Sequence, residues 1–241
     1  MRLFTDMNLE IGSLTTIDGE DFDHLRVLRI KAGDKLELCN PHTQVVFHCK
    51  VVRVDRDEAS VMVVSLGIAS SEPSFKVTLF QAVPKLDKMD VIIQKCVELG
   101  VFKIVPIITA RTITHPANAG IKARRWGKIS KMAAQQSQRD IIPQVGSILK
   151  FGDMLEGLKN YGSVYLMNES EENLLSSQAF KDAQEQDIAI IVGPEGGFEA
   201  SEVEQLCNCG AQSVSLGRRR LRVETAALAA LAVLMSARGE L

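Results

Sequence analysis

The sequence predicts an α/β protein that begins with a small β-rich domain and continues into a larger domain with a mostly parallel sheet. Up to about residue 68, short runs of β-branched residues alternate with turns. A polar stretch marked by Pro73 follows, and beyond it apolar strand-like segments alternate with helix-like ones. We therefore expect one domain over residues 1–70 and a second over residues 74–241.

The N-terminal domain is predicted to be a small β-barrel. Apolar and β-branched residues form strand-like runs at residues 36–38, 45–51 and 60–64. Turn-forming residues lie between these runs at residues 31–34, 40–42 and 55–58. Short strands at this spacing are typical of a small barrel.

The second domain shows strands and helices in alternation. Strands are predicted at residues 75–83, 101–108 and 163–167, an amphipathic helix at residues 88–99 with Gly100 as its stop, and a basic helix at about residues 119–139. This alternation implies a sheet covered by helices. The last helix, residues 225–238, is apolar nearly all round, so we expect it to be buried, in part against a second subunit.

Two glycine-containing loops near the end of the chain predict a ligand site. The first, Gly193-Pro194-Glu195-Gly196-Gly197-Phe198, follows an apolar strand at residues 188–192, and the second, Leu216 to Ala226, follows a strand at residues 212–216. Ligands of open α/β sheets lie outside the carboxyl ends of the strands, and glycine lets backbone groups approach them closely. Two adjacent junctions of this kind therefore indicate one binding site.

Composition and motifs narrow the class of protein. The net charge is −2, and the five cysteines form no C-x-x-C pair, so neither a disulfide framework nor a metal site is expected. The longest apolar run, residues 226–235, is too short to span a bilayer and the chain opens with no secretory segment, so we expect a cytoplasmic protein without a membrane partner. The sequence has no P-loop, dinucleotide-binding glycine motif or hydrolase elbow.

Positive charge is concentrated in three groups of side chains despite the acidic total. They lie at residues 24–31, 122–131 and 218–222. One such group is typical of a solvated face, but phosphate binding requires clustered cations, so three groups favour an anionic polymer as partner. For residues 122–131 we favour a solvated helix face over direct contact with RNA.

The two glycine loops, taken in this order, resemble the signature loops of the SPOUT methyltransferases. The second loop carries the segment Leu216-Gly217 followed by Arg222-x-Glu224-Thr225-Ala226. Supporting segments are His24-x-x-Val27-Leu28-Arg29, Lys85-x-x-Lys88 with Glu98-Leu99-Gly100, and Gln135-Gln136-Ser137-x-Arg139. Within that superfamily the RsmE type matches essentially the whole chain. That type uses S-adenosylmethionine to methylate the N3 ring nitrogen of one uridine in small-subunit ribosomal RNA.

The resemblance implies a PUA-like N-terminal barrel, a SPOUT domain with a C-terminal trefoil knot, and a homodimer. It also implies that S-adenosylmethionine is held by backbone groups in the knot. The implied cofactor-binding residues are Met167, Gly193, Pro194, Gly196, Leu216, Gly217, Leu221 and Thr225. The implied RNA-binding residues are Arg26 and Arg29 in the barrel and Lys88, Arg139 and Arg218 in the catalytic domain.

Methylation of uridine requires loss of the imide proton, so the site must handle negative charge. We expect Arg222 to stabilise the developing uridinate, because a fixed cation in a dry pocket lowers such a barrier by several kcal/mol. Glu195 and Glu224 are further candidate catalytic residues, as bases, but an ordinary carboxylate suits so weak an acid only if burial raises its pKa. The alternative roles are loop structure for Glu195 and helix capping for Glu224.

Two other functions remain open at this point. One is a non-catalytic RNA-binding or ribosome-assembly protein that keeps the fold, against which the intact glycine loops and residues 222–225 argue. The other is a SPOUT methyltransferase that acts on transfer RNA, on a ribose hydroxyl or a guanine. The barrel and the Leu221-Arg222-x-Glu224-Thr225 segment favour uridine.

Overall fold

The computed structural model describes residues 1–113, 119–171, 180 and 186–241, which divide into two compact units. The first unit comprises Met1–Glu72 and Ala134–Ile142, and the second comprises Pro73–Ala133 and Pro143–Leu241. No feature of the sequence indicates that residues 134–142 rejoin the first unit. The functional division at residues 1–70 and 74–241 stays a prediction.

The first unit is built on a mostly antiparallel sheet. Its elements are β1 (Arg2–Phe4), β2 (Leu14–Asp18), α1 (Gly19–Val27), β3 (Lys35–Asn40), β4 (Val45–Val54) and β5 (Glu58–Ile68). The strand order is β1-β3-β4-β5-β2, and β1 and β3 pair in parallel. Two register shifts between β4 and β5, beside His48 and Val51, are bulges that increase the local twist. The three predicted strands are confirmed, and each is longer than predicted.

Helix α1 and strands β1 and β2 are absent from the sequence prediction. Only Phe22 and Leu25 of α1 are buried, so the helix lacks the repeated apolar spacing by which an amphipathic helix is recognised. Both side chains join the core of the unit, with Leu36, Phe47 and Val61 of the sheet. Tertiary packing therefore stabilises a helix that its own sequence specifies weakly.

The segment 134–142 is held in the first unit by buried ion pairs. Asp140, which is fully buried, pairs with Arg2 and accepts hydrogen bonds from the backbone N–H and the hydroxyl of Ser71, at 2.6 and 2.7 Å. Arg139, only 3% exposed, pairs with Glu72, and its Nε lies 3.1 Å from Oε1 of that carboxylate. These contacts join residues 67 to 138 positions apart in the chain.

The second unit contains a seven-stranded sheet in which every pairing is parallel. Its strands are β6 (Lys76–Ala82), β7 (Lys103–Ile108), β8 (Gln144–Val145), β9 (Leu149–Lys150), β10 (Ser163–Met167), β11 (Asp187–Val192) and β12 (Gln212–Val214). The order is β12-β10-β11-β6-β7-β8, with β9 also paired to β7. The mostly parallel sheet predicted from the sequence is thus confirmed.

Helices cover both faces of this sheet. They are α2 (Lys88–Glu98), α3 (Ala119–Gln136), α4 (Phe151–Leu158), α5 (Ala200–Asn208) and α6 (Val223–Ala237). Phe80 and Ile191 pack with Met154 of α4 and Leu206 of α5. The alternate strand residues, such as Ile190, are equally buried, and α6 contacts both β11 and α2. Burial on both faces explains why these strands are nearly continuous apolar runs.

The predicted helices of the second unit are present with small shifts of their ends. Helix α2 ends at Glu98, one residue earlier than predicted. Gly100 follows in a left-handed conformation with a φ of 94°. Helix α6 buries one face, including Leu231 and Leu234, while Leu228 and Val233 remain partly exposed. No described helix is both long enough and apolar enough to cross a bilayer.

Candidate functional site

A cleft of about 400 Å³ lies at the carboxyl ends of three neighbouring strands of the second unit. Its walls are residues 167–170 at the end of β10, residues 192–198 at the end of β11, and residues 215–217 and 219–223 after β12. The two loops singled out in the sequence therefore meet in one site. Their strands are not neighbours, however, because β10 lies between them and contributes a third loop.

The loop after β11 is a tight turn in which glycine is required. The Gly197 N–H donates to the Pro194 carbonyl at 2.9 Å, and Gly197 has a φ of 67°. A Cβ atom on Gly193 would lie 2.9 Å from the Phe198 ring, closer than real contacts allow. The turn thus brings bare backbone against the cleft, which Phe198 also lines.

The loop after β12 exposes backbone to the same cleft. The Gly217 N–H donates to the Ser215 hydroxyl at 3.3 Å, and Gly217 has a φ of 110°, a conformation that favours glycine. A Cβ atom on Gly217 would meet no described atom within 4 Å, so this stretch of backbone is open. Leu216 and Leu221 add apolar surface to the same wall.

The loop after β10 is fixed by a single asparagine. The Asn168 N–H donates to the Val214 carbonyl at 2.9 Å, and its side-chain amide donates to the Ser213 hydroxyl at 3.1 Å. The next residue, Glu169, lies 3.6 Å from Nε of Arg220. These contacts tie the first and third walls of the cleft together.

Lys88 stands between two carboxylates at one side of the cleft. Its Nζ lies 3.1 Å from Oε1 of Glu195 and 3.6 Å from Oε2 of Glu224. Glu195 belongs to the glycine turn, whereas Glu224 belongs to the first turn of α6. Lys88 lines the cleft, and Glu224 lies behind the lining residues.

Glu195 is held in its ionised form. Partial burial alone would raise the pKa of this carboxyl, but its own backbone N–H, that of Lys85 at 3.1 Å and the Lys88 ammonium together lower the pKa below its ordinary value. A general base for so weak an acid as an imide needs the opposite shift. The geometry therefore supports the structural role for Glu195.

The cleft is also rich in cationic side chains. Arg111, Arg219, Arg220 and Arg222 all line it. Arg222 is the N-cap residue of α6, is exposed, and has no ion-pair partner within the described part of the chain. Its charge is therefore available to a ligand, but the side chain is exposed rather than enclosed in the dry pocket that the electrostatic role calls for, so that role stays a prediction.

Arg111 is a cleft residue that the sequence analysis missed. Its guanidinium donates to the Gly196 carbonyl at 2.9 Å and so braces the glycine turn. The preceding residue, Ala110, donates its N–H to the buried Glu202 carboxylate at 2.8 Å. Its position in the sequence could have indicated this role, because Arg111 closely follows the carboxyl end of β7, and ligands bind at that edge of the sheet.

The cleft brings together most of the predicted cofactor-binding residues. Met167, Gly193, Pro194, Gly196, Leu216, Gly217 and Leu221 line it. Thr225 is exposed on α6 and does not line the cleft. Among the candidate catalytic residues, Arg222 and Glu195 line it and Glu224 does not.

The predicted RNA-binding residues fall into three environments. Arg26 and Arg29 are exposed in the first unit, where Arg26 lies 2.9 Å from Asp23, and Arg218 is exposed in the loop after β12. Lys88 lies in the cleft, between its two carboxylates. Arg139 is buried against Glu72, and its contact with RNA stays a prediction that would require this pair to open. Across the described residues, no cluster of His, Cys, Asp and Glu is arranged to hold a metal ion.

Comparison with known proteins identifies the family. The model of an RNA methyltransferase domain matches residues 70–235, a range that includes every residue of the cleft, and the model of an RNA methyltransferase PUA domain matches residues 17–63. The ribosomal RNA small subunit methyltransferase E of Bacillus subtilis is 31% identical over 95% of this chain and 93% of its own length. The chain belongs to the ribosomal RNA small subunit methyltransferase E family.

Solved structures extend the match to the fold. The ribosomal RNA small subunit methyltransferase E of Neisseria gonorrhoeae, bound to S-adenosylmethionine, superimposes with a TM-score of 0.86 at 28% identity, covering 98% of this chain and 96% of that one. A protein from Legionella pneumophila in complex with the same cofactor gives 0.87 at 30% identity, with 98% and 97% covered. Both the PUA-like unit and the parallel α/β unit of this chain therefore have counterparts in solved structures.

Proposed function

We propose that this family member methylates the N3 ring nitrogen of one uridine in small-subunit ribosomal RNA, with S-adenosylmethionine as cofactor. The observation that carries the proposal is the placement of Arg222, a cation without a partner among the described residues, beside a glycine-walled cleft. A uridine that loses its imide proton needs such a cation.

The cleft fits S-adenosylmethionine by its chemistry. Its volume of about 400 Å³ lies in the range of small-molecule sites. The backbone around Gly193, Gly196 and Gly217 offers hydrogen-bonding groups at close approach, and Met167, Leu216 and Leu221 offer apolar surface for an adenine ring. Glu169 and Glu195 add negative charge near a ligand that carries a sulfonium cation.

The residues of the cleft have separate roles in methyl transfer. Bound S-adenosylmethionine supplies the methyl group. The three loops exclude water from one side and fix the orientation of the reactants, which can account for a large part of a rate enhancement. Arg222 stabilises negative charge on the uracil ring as the proton leaves. Since the Glu195 carboxyl has a lowered pKa, the proton passes to solvent rather than to this residue.

We assign RNA binding to cationic side chains that do not line the cleft. Arg26 and Arg29 contact phosphates, and Arg218 approaches the target from the loop after β12. All three are exposed, as phosphate contacts require. A uridine within a folded subunit must also be unstacked before it reaches the cleft.

Three further features belong to the same proposal. A homodimer is supported by two apolar side chains of α6, Leu228 and Val233, that remain partly exposed. A trefoil knot is supported by family membership and by β12, the last strand of the chain, which pairs with β10 rather than with β11. A cytoplasmic location follows from ribosomal RNA as the substrate.

The proposal is tested by offering labelled S-adenosylmethionine with unmodified small ribosomal subunits and, in parallel, with transfer RNA. We expect 3-methyluridine in the subunit alone, detected by mass spectrometry of the nucleosides. A different methylated nucleoside, or product in transfer RNA alone, would refute the uridine assignment. Cofactor binding without transfer to either RNA or to earlier assembly intermediates would indicate a non-catalytic protein.

A further inference from the structure

We propose that Lys88 is a positioning residue that joins the glycine turn after β11 to the first turn of α6 through a carboxylate–ammonium–carboxylate bridge. The inference rests on the proposed function only in that the cleft is taken to hold S-adenosylmethionine. It gives Lys88 a role other than the RNA contact predicted from the sequence.

The first observation is the position of Lys88 in its helix. Lys88 is the first residue of α2, where the helix dipole presents its positive end and disfavours a cation. A lysine here needs compensating negative charge. Glu195 and Glu224 supply it from two other segments of the chain, at 3.1 and 3.6 Å from Nζ.

The second observation is the state of the two carboxylates. Glu195 is ionised at neutral pH, since its pKa lies below its ordinary value. Oε2 of Glu224 is buried and accepts no hydrogen bond within the described residues, so the Lys88 ammonium is the cation that faces it. Without Lys88, two carboxylates would face each other beside the cleft, and one of them holds a buried oxygen.

The third observation is where the bridge ends. Glu195 lies in the middle of the glycine turn, whose neighbours Pro194 and Gly196 line the cleft. Glu224 directly follows Arg222 and Val223, which line the cleft after β12. One ammonium therefore fixes the spacing between the cofactor side of the cleft and the arginine assigned to charge stabilisation.

The chain offers a matched control on the same helix. Lys95 lies 2.9 Å from Glu98, but this pair joins residues three apart on the surface of α2 and does not line the cleft. Lys88→Met and Lys95→Met each remove an ion-paired ammonium from α2. Lys88→Arg retains the charge, and Glu224→Gln tests the bridge from its other end.

The first measurement is hydrogen exchange of the ligand-free protein, which does not depend on activity. In Lys88→Met we expect amides of residues 193–198 and of the first turn of α6 to exchange about tenfold faster, because hydrogen bonds to charged groups are the stronger ones. Glu224→Gln should affect the first turn of α6 alone. Lys88→Arg and Lys95→Met should match the wild type in both segments.

The second measurement is the affinity for S-adenosylmethionine by calorimetry. Lys88→Met should bind about tenfold more weakly, and adding Glu224→Gln should recover part of that loss because it restores the charge balance. Unchanged exchange and affinity in Lys88→Met, with weaker RNA binding and a reduced salt dependence, would overturn the proposal and make Lys88 an RNA contact. If the wild type binds the cofactor but does not methylate uridine, the proposed function fails while the exchange comparison still decides the role of Lys88.

Discussion

At the scale of single residues, the chemistry depends most on Arg222. Its position as N-cap residue of α6 fixes its backbone, while its side chain forms no ion pair with any described residue. A hydrogen-bond donor that acts only on developing charge contributes to turnover rather than to cofactor binding. The same reasoning does not apply to Lys88, whose ammonium already forms ion pairs with two carboxylates.

We expect Arg222→Gln to lower kcat by about 10²–10³-fold, the range for removal of one stabilising group, with the affinity for S-adenosylmethionine unchanged. Arg222→Lys should retain part of the rate, since it keeps the charge but not the planar fork. Single-turnover methyl transfer to small subunits, beside calorimetry of cofactor binding, measures both. Wild-type turnover in Arg222→Gln would exclude the electrostatic role.

Residues of the cleft could be predicted from the sequence where a local rule identifies them. Gly193 and Gly217 follow strands, and a close contact at the first and a positive φ at the second exclude most side chains, so the glycines themselves indicate these positions. Arg111 gives no such signal, because its role depends on which loops meet across the sheet. The same holds for Lys88, whose partners are more than 100 positions away.

At the scale of elements, the start of α5 braces the cleft from behind. Glu199 and Glu202 form a capping box, and the second carboxylate of that pair also accepts the Ala110 N–H at 2.8 Å. Glu202 is only 5% exposed. One buried carboxylate thus fixes both a helix start and the residue before Arg111, which in turn holds the Gly196 carbonyl.

We expect Glu202→Gln to lower the free energy of unfolding by about 1–3 kcal/mol, because a buried amide group would then face a backbone donor. Glu204→Gln is the matched control, since Glu204 lies exposed on the same helix and should change stability by no more than about 0.5 kcal/mol. Urea denaturation measures both variants. Equal effects would show that the contact with Ala110 contributes nothing.

The elements missed by the sequence analysis share a physical cause. Strands β8 and β9 have two residues each, too few for any periodic pattern. Helix α4 is eight residues long, and α5 buries Glu202 together with Leu206, so neither repeats an apolar spacing often enough. By contrast, α2 buries five apolar side chains at helical spacing, and its predicted end is off by one residue.

At the scale of the whole molecule, the sequence reveals charge but not whether that charge is accessible. Arg26 and Arg139 were both assigned to RNA from the same resemblance. In the structure, the Arg26 side chain is 64% exposed and that of Arg139 is 4% exposed. Glu72, which binds Arg139, lies 67 positions away, so no local pattern could indicate the pairing.

The two arginines should therefore give opposite results when neutralised. Arg139→Gln leaves the Glu72 carboxylate without its cation and should cost about 3–5 kcal/mol of unfolding free energy, with the salt dependence of RNA binding unchanged. Arg26→Gln should cost no more than about 1 kcal/mol, as for an exposed pair, but should reduce the slope of log affinity against log salt by about 1. Thermal unfolding and RNA titration at several salt concentrations measure the two quantities.

If the glutamine variant does not fold, Arg139→Lys, which keeps the charge, replaces it in the RNA titration. A reduced salt slope for either Arg139 variant would mean that the buried pair opens on the ribosome and that this arginine contacts RNA.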